Sequence, residues 1–78
     1  MPYVVHLKYE TPGKDEEGPF MMVTDNYVSG VGDTIFFMDR SLSQAVRFPT
    51  RFAARQMARR VREVIFDAPR GSVKIEEV

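Results

Sequence analysis

The chain has 78 residues, no cysteine and a formal net charge of zero. At this length folding removes only about 60% of the surface that the unfolded chain exposes, which predicts one small domain with a thin core. The missing cysteine excludes a disulfide framework, a thiolate metal site and thiol redox chemistry; with no apolar run of about 18 residues and no basic-then-apolar leader behind Met1, the expected setting is a reducing cytoplasm.

From Tyr3 to Glu10 the residues alternate. Tyr3, Val5, Leu7 and Tyr9 fall on one side and Val4, His6, Lys8 and Glu10 on the other, the pattern of a half-buried strand. Thr11 to Pro19, TPGKDEEGP, mixes proline, glycine and charge and reads as a solvated, mobile connection. Phe20 to Ser29 resumes as a strand, Gly30 to Asp33 supplies a turn, and Thr34 to Met38 is a third β run. After the polar stretch Asp39–Ser43, residues 44–48 are expected to be briefly extended, because the residue ahead of Pro49 is pushed out of the helical region.

Thr50 is a good N-cap for a helix running from about Arg51 to about Phe66, which Asp67-Ala68-Pro69-Arg70-Gly71 ends. Ser72 to Val78 is the last strand. At about 100° per residue, Ala53, Ala54, Met57, Ala58, Val61, Val64 and Ile65 share one arc of the helix, the face expected in the core. Arg51, Arg55, Arg59 and Arg62 share the neighbouring arc, and Arg60 lies on the opposite flank. Phe52 falls beside the arginine row and is expected to tuck against the preceding loop.

Strands two and three are apolar on both sides, whereas one helix covers one face of a sheet. The second face therefore calls for the Thr11–Pro19 loop, a second copy of the chain or a partner protein.

Charge is segregated along the chain. Residues 1–39 set Lys8 and Lys14 against Glu10, Asp15, Glu16, Glu17, Asp25, Asp33 and Asp39, whereas residues 40–62 carry seven arginines and no acid. Arginines at this helical spacing suit either phosphates or the carboxylates of an acidic protein surface. They are also what a plain solvated face would show, but unpaired like charges one turn apart cost a few tenths of a kcal/mol each. A zero net charge and the lack of a known nucleic-acid module favour a protein.

Other chemistry finds little material. His6 is the only histidine, so neither a zinc site nor a serine triad assembles around it, and it reads as a sheet-surface residue. Asp15, Glu16 and Glu17 lack the spacing of a calcium loop. They read as solvated charge, or as a mimic of phosphates toward a basic partner. Gly30-Val31-Gly32 precedes a β run rather than a helix and is a turn, not a phosphate cradle.

Two resemblances add expectations. Gln44 to Ala54, QAVRFPTRFAA, resembles a strand-to-helix junction of small phage- and prophage-encoded proteins, of the form A-x-x-F-x-[ST]-x-x-x-A, matched by Ala45, Phe48, Thr50 and Ala54. What that implies is a small accessory protein, similar to anti-CRISPR and other anti-defence inhibitors, that works by binding protein; it supplies no functional residues. Pro2 behind Met1, together with Asp67–Glu77, DAPRGSVKIEE, looks like the tautomerase family, in which an N-terminal proline acts as base. There the helix follows the first strand directly, whereas here residues 11–50 intervene.

The resulting expectation is one α+β domain over residues 1–78, an antiparallel sheet of three to four strands packed on one helix in the order β-β-β-α-β. It is expected to be a non-enzymatic protein-binding module without cofactor or metal, an inhibitor of a host defence or regulatory complex in the host cytoplasm. The candidate contact residues are Arg47, Arg51, Arg55, Arg59 and Arg62 together with Asp15, Glu16 and Glu17. A homodimer through the second sheet face is a further expectation, with no membrane contact. The alternatives are a nucleic-acid binder using the arginine helix and an enzyme using Pro2.

Overall fold

The computed structural model describes every residue from Met1 to Val78. It contains β1 (Tyr3–Asp15), β2 (Gly18–Val31), β3 (Phe36–Asp39), α1 (Arg51–Val64) and β4 (Val73–Glu77), so the order is β-β-β-α-β. The four strands form one antiparallel sheet in the order β3-β2-β1-β4. The helix leaves one edge of the sheet, crosses one face and returns the chain to the other edge.

α1 begins where its chemistry directs. Thr50 is extended, and its hydroxyl oxygen accepts a hydrogen bond from the Ala53 amide at 3.1 Å, satisfying one of the free donors of the first turn. Ala54, Met57, Ala58 and Val61 face the sheet and are buried against Val5, Leu7, Val28 and Val73. The two alanines, one turn apart and fully buried, let the helix backbone approach closely. Full burial of a valine such as Val5, Val28 or Val61 contributes about 1.5–3 kcal/mol.

Several expectations need correction. α1 stops at Val64 rather than Phe66, and Val64 is 64% exposed although periodicity assigned it to the core arc. Val61 and Ile65 on either side of it still pack on the core, so Val64 marks the solvent-facing border of the arc. Phe52 is not tucked in; it is 70% exposed. Residues 42–44 form a single 3-10 turn. Phe48 is extended as expected and exchanges two backbone hydrogen bonds with Tyr3, at 2.9 and 2.8 Å. The Val46 amide donates to the Val28 carbonyl at 2.8 Å, beside the bulge at Val28/Gly30 that steers β2 away from β1. Residues 46–48 thus wedge between the two diverging strand ends.

The largest correction concerns Thr11–Pro19, which is not a mobile loop. β1 and β2 pair without a break from His6↔Tyr27 to Asp15↔Gly18, leaving only Glu16-Glu17 as the turn. Asp15 Oδ1 accepts the Glu17 amide at 2.9 Å, and Gly18 has φ +120°, so Asp and Gly occupy the flanking positions that a type I turn favours. Pro12 and Pro19 are tolerated because each lies on a strand with one free edge, to which the missing N–H is directed.

β3 pairs with β2 only over Tyr27–Val31, and β4 pairs with β1 only over Tyr3–Leu7. From Tyr9↔Thr24 outward the hairpin pairs with no other strand, and beyond Tyr9, which still packs on the core, it projects as a two-stranded arm. At 3.3 Å per residue the arm reaches about 20 Å from the body. It accounts for the elongated envelope of 45 × 24 × 21 Å. The loop expected to cover the second sheet face therefore points away from it.

Candidate functional site

Three surfaces concentrate chemistry, and the first is the arginine face of α1. Arg55, Arg59 and Arg62 line a shallow groove with Phe52, Gln56 and Ile75, of about 410 Å³. The helical spacing of the three arginines puts them on one side of α1, and β4 forms the opposite wall through Ile75. Arg62 Nη2 donates to the Val73 carbonyl at 3.4 Å, which fixes that guanidinium at the groove's end. Arg51 lies apart at the helix start, its guanidinium 5.1 Å from the centre of the Tyr3 ring. Arg60 is on the opposite flank, as periodicity placed it, donating to the Gly32 carbonyl at 3.2 Å and lying 5.9 Å from the Phe36 ring. Arg47 is exposed ahead of the helix and separate from the groove.

The second surface is the arm. Its tip carries Asp15, Glu16 and Glu17, all exposed. Behind the tip Phe20, Met21, Met22 and Val23 are 40–59% exposed. Phe20 lies across the strand from Gly13, whose absent side chain makes room for the ring: a Cβ there would come within 2.5 Å of it. This aromatic–glycine pair clamps the arm at its middle.

Of the residues proposed from sequence, Arg55, Arg59 and Arg62 are therefore brought together, and so are Asp15, Glu16 and Glu17. The two groups do not meet within one chain. No lysine or arginine lies within 4.0 Å of a carboxylate anywhere in the fold; both ion pairs involve His6.

The third surface was missed in the sequence reading. His6 is not a sheet-surface residue but is 9% exposed, on the face away from α1. Its ring stacks on Tyr27, the residue directly opposite in β2, with centroids 4.3 Å apart and an angle of 14° between the planes. Nε2 is 2.5 Å from Asp25 Oδ1, and Glu76 Oε1 of β4 stands 2.9 Å from Nδ1. The second approach lies off the N–H direction, which leaves buried Nδ1 without a hydrogen bond.

The hydrogen bond from His6 holds the Asp25 carboxyl below its ordinary pKa of 3.8, against the opposing effect of burial. Burial, reinforced by the charges of Glu76 and Asp25, pushes the Tyr27 phenol up. The two carboxylates reach opposite nitrogens of one ring, so they do not converge on a point where a metal would sit. Pro2, the candidate base of the enzymatic alternative, is half-buried, and its carbonyl accepts the Val78 amide at 3.0 Å. No helix is long and apolar enough to cross a membrane. Comparison with protein-family models, with curated proteins and with solved structures finds no match.

Proposed function

We propose that the protein is a non-enzymatic binding module that acts in the cytoplasm by attaching to another protein. The observation that carries this reading is the unpaired, segregated charge. The chain holds 11 cationic and 11 acidic side chains, yet no arginine or lysine is paired with a carboxylate. An exposed ion pair contributes only about 0–1 kcal/mol, so the weight falls on where the charges are gathered rather than on the missing pairs. A basic groove and an acidic tip, both left without partners, are surfaces available to something outside the chain.

A protein fits these surfaces better than a nucleic acid. The arginine groove would attract phosphates, but the acidic tip of the same neutral domain would repel a polyanion that approached it. The phage-accessory resemblance of residues 44–54 supports a partner within a host defence or regulatory complex, which attachment would inhibit. Exposed Phe20–Val23 adds the apolar contribution that a purely charged contact lacks.

Titration with labelled duplex and single-stranded oligonucleotides at two salt concentrations tests the choice of partner class. Weak or absent binding is expected for both. Tight binding that falls steeply with salt and disappears in Arg55→Glu/Arg59→Glu would instead establish the helix as a phosphate-binding surface.

A further inference from the structure

We infer that the groove beside α1 receives the acidic arm tip of a second copy of this chain, in a reciprocal two-fold pair. The inference rests on the protein-binding reading above and names a partner for its two charged surfaces. The groove presents Arg55, Arg59 and Arg62, with Phe52 and Ile75 as apolar walls. Guanidinium forks match carboxylates in pairs, so the fitting ligand is a compact group of carboxylates on a protein turn. Such a turn is present on the chain itself: Asp15, Glu16 and Glu17 sit on a two-residue reversal at the end of the arm.

Asp15 is partly engaged by the Glu17 amide, which leaves the carboxylates of Glu16 and Glu17 fully available. The paired strands hold the tip about 20 Å from the body, out of reach of its own groove. A zero net charge means that two copies approach without mutual repulsion. Tip and groove are complementary surfaces of one chain, so a two-fold axis makes both contacts at once and closes the assembly. The second contact then forms at the high effective concentration that the first creates. The same crossing brings exposed Phe20 and Met22 toward the partner's helix, where Phe52 at the groove's wall is exposed as well.

The central face around His6 is a poorer seat for a second copy. Asp25, Glu76, Lys8 and Lys74 put charge at its middle, where the centre of an interface is depleted of charge.

Sedimentation equilibrium of charge-reversed chains tests the pair. The wild type is expected to be a dimer that weakens as salt rises. Glu16→Arg/Glu17→Arg and Arg55→Glu/Arg59→Glu, each alone, are expected to dimerise roughly tenfold or more weakly. Mixed in equal amounts they should recover a heterodimer, because each chain then offers a tip of opposite sign to the other's groove. The neutral Glu16→Gln/Glu17→Gln, which leaves the turn intact, should weaken association less than the reversal does.

A wild type that stays monomeric at every concentration and salt would overturn the inference. So would reversed chains that dimerise as well as the wild type, or that keep its circular dichroism yet fail to associate when mixed. Assemblies larger than a dimer would overturn the two-fold closure. A monomeric wild type leaves the protein-binding reading intact, because that reading falls only to the oligonucleotide result.

Discussion

At position 6 one imidazole ties three strands together, since Tyr27 and Asp25 belong to β2 and Glu76 to β4. Alternation in β1 placed His6 with Lys8 on the face away from the helix, which the structure bears out. It said nothing of what stood opposite, because the register of β1 on β2 is invisible until the turn is located. A reversal at Glu16-Glu17 sets His6 against Tyr27 and Lys8 against Asp25. The hydrogen bond from His6 lowers the Asp25 pKa below 3.8, so the bond stabilises the fold fully above that value and is lost as pH falls through the lower folded value. The stability difference between wild type and Asp25→Asn should therefore shrink as pH falls through the acid range below 3.8. Urea unfolding midpoints measured down the pH scale check this, and a gap that does not change with pH would remove Asp25 from the role given to it.

Among the elements, α1 was the most legible. Its cap, its buried alanines and Val61 follow from a 3.6-residue period that holds wherever sheet lies beneath the helix. Exposed Val64 lies at the border of the buried arc, and exposed Phe52 lies beside the arginine row where the period places it. The arm was the least legible, because proline, glycine and charge in TPGKDEEGP carry the composition of a loop. In a sheet interior they would be loop signals, but a ribbon with two free edges accepts them, and Asp15 and Gly18 supply the turn. An isolated two-stranded hairpin is marginally stable in water. Phe20 over Gly13 is the contact that holds it, so Phe20→Ala should loosen the arm and leave the body folded. Amide hydrogen exchange should then quicken at residues 10–15 and 18–23 while the amides of α1 keep their protection. Uniform quickening through the helix would mean that the arm and the body unfold as one unit.

At the scale of the whole molecule, part of each charged block stays separate in three dimensions, as an acidic tip of Asp15, Glu16 and Glu17 and a basic groove of Arg55, Arg59 and Arg62. That outcome was not implied by the sequence, since folding often sets oppositely charged segments side by side and neutralises them. Here the geometry of the hairpin prevents it. The arm carries Asp15, Glu16 and Glu17 beyond the body, while the crossover places Arg55, Arg59 and Arg62 against β4. The second sheet face carries a polar cluster at its centre, where Val4 and His6 are buried, and an apolar ribbon at its end. Association through the tip and groove is tested most directly by comparing nitrogen–proton NMR spectra of the wild type, concentrated and dilute. Concentration-dependent shifts are expected at Asp15–Gly18 and at the guanidinium signals of Arg55, Arg59 and Arg62. Shifts centred instead on His6, Asp25 and Tyr27, or spectra that do not change with concentration, would contradict it.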